Sequence, residues 1–133
     1  MTIEQDAPAG ELVLRTLAMP ADTNPSGDIF GGWLLSQMDI AGGLLAKQRA
    51  GSRVATVAVE TMTFHLPVFV GDVVCCYAEL LKTGRTSMTI RIQAWVIRDA
   101  YRATRIKVTE GIFTYVAIDS DRRPREIPAD DDG

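Results

Sequence analysis

The chain has 133 residues, 47% of them hydrophobic and 23% charged, with a net charge of −3. This balance fits one soluble globular domain and excludes a disordered chain or a nonspecific nucleic-acid binder. The inventory holds one histidine, His65, and two adjacent cysteines, Cys75 and Cys76. A histidine triad would have to use His65, a Cys/His zinc site lacks ligands, and no disulfide framework can form. The chain therefore reads as cytoplasmic, with any chemistry left to carboxylates, amides or backbone groups.

The acidic start, MTIEQDAPAGE, lacks the basic and then apolar run of a signal peptide, and residues 1–11 read as a flexible N-terminus. Leu12 to Met19 predicts a first strand, ended by Pro20. The segment ADTNPSGD is a loop by composition, and Asp28 is placed to cap the helix that follows. From Ile29 to Ala46 the only ionisable residue is Asp39. That length reaches the lower bound of a membrane span, about 17–25 residues, but four glycines, Ser36, Gln37 and a central carboxylate favour a buried helix. Trp33, Gln37, Ile40 and Leu44 form one helical row, and Leu34, Met38, Ala41 and Leu45 the next. A helix apolar nearly all round must be wrapped by other elements; Lys47 and Arg49 suit its last turn and Gly51 its end.

The remainder reads as β: Val54 to Leu66, then VVCCYAELLK, then a strand in which Met88, Ile90, Ile92, Ala94 and Val96 alternate with Ser87, Thr89, Arg91, Gln93 and Trp95. A last strand runs from Lys107 to Ile118, followed by an extended arm and an acidic, disordered tail over 120–133. The expected fold is α+β, with about five antiparallel strands wrapped around one long helix. One sheet covers too little of such a helix, so a dimer or larger assembly is expected. Residues 53–125 carry eleven basic and seven acidic side chains, against three and six in residues 1–52. The arginines 85, 91, 98, 102 and 105 with Lys107 are either a solvated strand face or a site for a modest polyanion such as a nucleotide carrier.

Asp39 is the residue that pattern alone marks for chemistry. A carboxylate in an apolar mid-helix position is costly unless paired; it could anchor the helix, but its rarity there favours a functional role. Gly42 and Gly43 leave room beside it for a ligand or for close packing. Asn24 is a turn residue by propensity and the second candidate. Gly31 and Gly32, at the helix start, offer N–H groups that could hold a developing oxyanion. His65, at a strand end, reads as structural, Cys75 and Cys76 as small hydrophobes on opposite faces of one strand, and the methionines as core or tunnel lining.

The segment TLAMPADTNPSGDIFGGWLLSQMD, together with VATVAVETMTF, VGDVVCCYAEL and FTYVAID, resembles the acyl-CoA thioesterases of the hotdog fold, in particular the small YciA-like type. The resemblance covers residues 12–119 and implies a hotdog domain that hydrolyses acyl-CoA to free acid and CoA. It implies that Asp39 of SQMD is the catalytic carboxylate, as general base or nucleophile, with Asn24 from the opposite subunit as its polar partner. Gly31 or Gly32 would hold the thioester carbonyl, and Gly84, Arg85, Thr86 and Ser87 would run along the CoA. It further implies dimers with shared sites, assembled as trimers of dimers, and no cofactor, metal, nucleic acid or membrane. This chain departs from close relatives in having Leu66, rather than a basic residue, before Pro67. The alternative reading is a non-catalytic acyl-CoA-binding hotdog protein.

Overall fold

The computed structural model describes residues 7–99 and 104–130. Its elements are β1 (Glu11–Leu17), a 3-10 turn (Pro20–Asp22), α1 (Gly31–Ala50), β2 (Arg53–Phe64), β3 (Val73–Thr83), β4 (Ser87–Ile97) and β5 (Arg105–Ile118). The five strands form one antiparallel sheet in the order β1-β3-β4-β5-β2. Because β1 and β2 lie at opposite edges, the helix joining them must cross the sheet, and it packs against all five strands. This is the α+β architecture expected from the pattern. No helix of the described residues is long and apolar enough to cross a membrane.

The helix presents Leu34, Met38, Ala41, Gly42, Ala46 and Ala50 to the sheet as its buried stripe. Met88, Ile90, Ile92, Ala94 and Val96 of β4 answer it, all fully buried. Each large apolar side chain removed from water in this way contributes about 1.5–3 kcal/mol. The far side of the helix is not covered within one chain, where Ile40 and Leu44 are half exposed and apolar. The C-terminal stop is as expected: Gly51 takes the left-handed conformation (φ 67°) and its N–H bonds the Lys47 carbonyl at 2.8 Å.

The helix start differs from expectation. Asp28 does not cap it; the N-cap position is Phe30, without a side-chain cap. Asp28 is held instead by Asn24, whose backbone N–H donates to the Asp28 carbonyl (2.7 Å) and whose Oδ1 accepts the Asp28 N–H (3.1 Å). These bonds to its main chain fold Asp28 into the loop, two residues ahead of the N-cap position.

The outer face of the sheet is also more closed than simple alternation suggests. Cys75, Tyr77 and Trp95 form a second buried cluster there, while Cys76 joins the main core, so the two cysteines do face opposite ways. Gln93 is buried on this outer face, donating to Glu110 (2.8 Å) and accepting from Trp95 Nε1 (3.0 Å). β2 is irregular, with shifts in register after Thr56 and after Glu60 and a positive φ (57°) at Thr61. Past β5 the arm doubles back: Ile127, buried, donates its N–H to Arg85 O (2.9 Å), and Arg49 Nη1 donates to Pro128 O (2.9 Å). The expected disordered tail ends in residues 131–133, and the flexible start begins in residues 1–6, both outside the described residues.

Candidate active site

Asp39 lies near the middle of α1, beside the buried stripe rather than within it, and is half-buried in the single chain. Its Oδ1 accepts two hydrogen bonds, from Thr56 Oγ1 of β2 (2.7 Å) and from the Tyr115 hydroxyl of β5 (3.0 Å). Thr56 and Tyr115 are direct cross-strand neighbours, so one rung of the β2–β5 ladder supplies both donors. The Tyr115 hydroxyl also lies 2.9 Å from the Asp39 backbone carbonyl. Gly42 makes this approach possible, since a Cβ there would overlap the Tyr115 hydroxyl and Ile92 Cδ1. The space left by that glycine is thus filled by a tyrosine rather than by a ligand. Burial, and then the adjacent Asp39 carboxylate, push the Tyr115 phenol well above its ordinary range, so it stays protonated as a donor.

The carboxylate opens into a pocket of about 250 Å³ lined by Gly32, Leu35, Ser36, Val59 and Phe113. Apart from Asp39 and Ser36, whose hydroxyl is turned back onto the Trp33 carbonyl (2.7 Å), the walls are apolar. Gly32 stands two turns before Asp39 on the same side, and its N–H belongs to the first helical turn, where the helix itself provides no acceptor. An ideal Cβ on Gly32 would meet nothing within 4 Å, so packing within this chain does not demand a glycine there.

Asn24 and Gly31 belong to a second pocket, of about 380 Å³, with Phe30, Phe64, His65 and Leu66 among its walls. Asn24 Oδ1 is committed to its own loop, accepting from the N–H groups of Ser26 (2.9 Å) and Asp28. Its amide nitrogen has no partner among the described residues and remains a donor. One chain therefore pairs Asp39 with Gly32 and Asn24 with Gly31, and does not bring the two polar candidates into one cavity. The third group, Gly84 to Ser87, forms the β3–β4 turn and lines neither pocket. There the Gly84 N–H closes onto the Ser87 carbonyl (2.8 Å), and Arg85, largely exposed, faces Glu126 at 3.9 Å.

The basic run is not one open anion site. Arg98 grips Asp72 with Nε and Nη2 (3.1–3.3 Å) while stacking over Phe69, 4.5 Å from the ring centroid. Arg91 pairs with Glu79 (3.0 Å), Lys107 with Glu110 (2.7 Å), and Arg105 donates to the Tyr77 hydroxyl (3.0 Å). Arg102 lies outside the described residues. Of the polyanion site considered from composition, Arg85, Arg98 and Arg105 are exposed, and of these Arg98 is held by Asp72. Cys76 is inert, its thiol pushed up to about 12 by burial and then by Cys75. Thr56, Tyr115 and Phe113 are the site residues that sequence reasoning missed. The signal was a threonine and a tyrosine inside strand blocks, meaningful only once the register places them beside the helix.

The fold is thus one antiparallel sheet wrapped on one helix, with a carboxylate opening from that helix into an apolar pocket. Residues 26–101 match the family model of the thioesterase superfamily. The acyl-CoA thioester hydrolase YciA of Salmonella typhimurium is 60% identical over 130 residues, covering 96% of this chain and 98% of that protein. The chain belongs to the thioesterase superfamily and, within it, to the YciA group of acyl-CoA thioester hydrolases. Among solved structures, an aspartate-to-alanine variant of HI0827, a hexameric broad-specificity acyl-coenzyme A thioesterase, superposes with a TM-score of 0.87 at 53% identity, covering 92% of this chain and 89% of that one. An acyl-CoA hydrolase from Staphylococcus aureus, solved with butyryl coenzyme A, coenzyme A and coenzyme A disulfide, gives a TM-score of 0.80 at 26% identity, covering 87% and 70%. Variants of that hydrolase replacing one asparagine and one aspartate by alanine have also been solved.

Proposed function

We propose that this chain hydrolyses acyl-CoA thioesters, R–CO–S–CoA plus water giving the free carboxylic acid and CoA thiol. The observation that carries the reading is Asp39, an aspartate set in an apolar pocket, held on one oxygen, with the Gly32 N–H on the same side of the helix. In the general-base route Asp39 takes a proton from water as that water attacks the carbonyl carbon, and the proton passes on to the departing thiolate. In the nucleophilic route the carboxylate attacks directly, expels CoA and leaves a mixed anhydride that water then cleaves. Either way negative charge grows on the former carbonyl oxygen, and Gly31 or Gly32 N–H groups at the positive end of the helix stabilise it. Neither route calls for a metal or an organic cofactor. CoA itself lies along Gly84 to Ser87, with Arg85 toward its phosphates.

The site is completed by a second copy of the chain. Asn24 and Asp39 occupy separate pockets in one chain, and the edge strand β2 leaves Val57, Val59 and Phe64 uncovered. Pairing two copies across that edge would bury the apolar face and carry one copy's Asn24 amide to the other's Asp39. The asparagine and aspartate replaced in the Staphylococcus aureus variants are separated by the same number of residues as Asn24 and Asp39, which supports reading these two as a functional pair. Hexamers, as trimers of such dimers, are the expected assembly.

Thiol release from a panel of acyl-CoAs tests the activity. Release by wild type and its loss in Asp39→Asn are expected. Binding of acyl-CoA without release at any chain length would instead make this a non-catalytic acyl-CoA binder. Under single turnover in oxygen-18 water, label in the Asp39 carboxylate marks the nucleophilic route with water attacking the Asp39 carbonyl of the anhydride. Attack at the acyl carbon labels only the product acid in either route, and trapping an anhydride on Asp39 with hydroxylamine tells those two apart. Mixing Asp39→Asn with Asn24→Ala subunits tests the shared site. Mixed dimers recover activity if the two residues come from different copies, because one of their two sites is then intact.

A further inference from the structure

Two of the contacts to Asp39 have a role that neither the activity nor its pair of polar residues assigns. We infer that Thr56 and Tyr115 are positioning residues that lock Asp39 Oδ1 and leave Oδ2 as the oxygen that meets water or the thioester; this rests on the reading of Asp39 as the reacting carboxylate.

The inference starts from what an aspartate in mid-helix would do unaided. Two side-chain torsions let its oxygens exchange places and let either fold back toward the helix. Here Oδ1 is claimed twice, by a short Thr56 bond (2.7 Å) and by Tyr115 (3.0 Å), while Oδ2 has no partner among the described residues. The Tyr115 hydroxyl has a single proton and two acceptors in reach, the Asp39 carbonyl at 2.9 Å and Oδ1 at 3.0 Å. The carbonyl already serves the helical ladder, and a charged carboxylate is the stronger acceptor, so the proton goes to Oδ1.

The donors themselves are rigidly placed. Tyr115 is fully buried, its ring stacked on Phe113 at 6.4 Å between centroids and 12° between planes, and it sits in the gap left by Gly42. Thr56 is its cross-strand partner, so the two hydroxyls keep a fixed separation set by the sheet. Phe113 also lines the pocket that Asp39 opens into, tying the wall of the site and the aim of its carboxylate to the same ring stack. Among the described residues no cation pairs with Asp39, so the carboxylate is aimed without being neutralised by an ion pair.

The test compares Thr56→Val, which keeps shape and removes the hydroxyl, with Thr56→Ser, which keeps the hydroxyl, and adds Tyr115→Phe and Asp39→Asn. Because a displacement of about 1 Å in a reacting group costs on the order of 100-fold, kcat should fall about 10- to 100-fold in Thr56→Val and Tyr115→Phe, with KM within about threefold. Thr56→Ser should restore kcat to within about threefold of wild type. Thr56 is exposed in the single chain, so its variants remain informative even if Tyr115→Phe fails to fold. Wild-type kcat in both Thr56→Val and Tyr115→Phe would overturn the inference, as would equal losses in Thr56→Val and Thr56→Ser or a loss confined to KM. Asp39→Asn separates the two levels. Full activity there removes Asp39 from the reaction altogether, whereas an inactive Asp39→Asn beside fully active hydroxyl variants removes only the positioning role.

Discussion

Asp72 and Asp39 are both aspartates set into the body of the same small domain, and their surroundings are opposites. Asp72, just ahead of β3, is 2% exposed, receives two guanidinium nitrogens of Arg98 and caps its own turn by accepting the Phe69 N–H (2.9 Å). Asp39 is less buried, has no cation partner among the described residues, and is satisfied on one oxygen by two neutral hydroxyls. A carboxylate whose lone pairs are all taken joins chain segments that are far apart, here the loop before β3 and the end of β4. One satisfied on a single side keeps acceptor capacity for something that is not part of the chain. Depth of burial alone would have ranked the two the wrong way round as candidates for chemistry.

The sharpest way to break this comparison is to neutralise each aspartate in turn. Asp39→Asn is expected to lower kcat for thioester hydrolysis by about 100-fold or more while shifting the denaturation midpoint little, checked by thiol release and urea unfolding. Asp72→Asn is expected to do the reverse, destabilising by about 1–2 kcal/mol because the partly exposed Arg98 loses the charge it pairs with, with activity per folded molecule retained. If both variants lose activity equally at equal stability, the distinction fails. Gly42→Ala joins the two kinds of damage: overpacking against Tyr115 and Ile92 should cost about 1–3 kcal/mol, and hydrolysis should weaken as Tyr115 is displaced from Asp39. Its measure is a thermal melt read beside kcat.

The smallest expected effect lies on the outer face. Burial alone would raise the Glu110 pKa, but hydrogen bonds from Lys107 and Gln93, with the charges of Lys107 and Arg91, outweigh it and hold the carboxyl below its ordinary value. A lowered folded pKa means stability that is present above the unfolded value, near 4.5, and is lost as pH falls through the folded value. Glu110→Gln should therefore flatten the acid limb of stability between neutral pH and about pH 3, by well under 1 kcal/mol for this partly exposed pair. Urea unfolding across that range measures it.

The helix, the strand sequence and the candidate carboxylate were legible in the chain because each depends on local pattern. Period-2 alternation marked β4, Gly51 marked the helix end, and a lone carboxylate in an apolar run marked Asp39. What was illegible depends on register and on distant partners. Nothing near Thr56 in sequence says that β2 pairs with β5, nor that its rung partner would be Tyr115. The arginines looked like a free basic face because Asp72 stands 26 residues from Arg98 and Glu79 stands 12 residues from Arg91, so only the folded sheet brings them together. Asp28 looked like a helix cap because composition does not show that its main chain is folded into the loop by Asn24 and that the helix begins only at Gly31.

The arm beyond β5 has a practical consequence for anyone shortening or extending this chain. The β3–β4 turn has its Arg85 carbonyl satisfied by Ile127, the Ala117 carbonyl is satisfied by Arg125, and the Pro128 carbonyl fastens to Arg49 at the end of the helix. Cutting after β5 would strip a backbone partner from the turn proposed to hold CoA and uncover the core that Ile127 seals. Any purification tag or fusion joined at this end has to leave the chain intact through Pro128, whose carbonyl still bonds the helix.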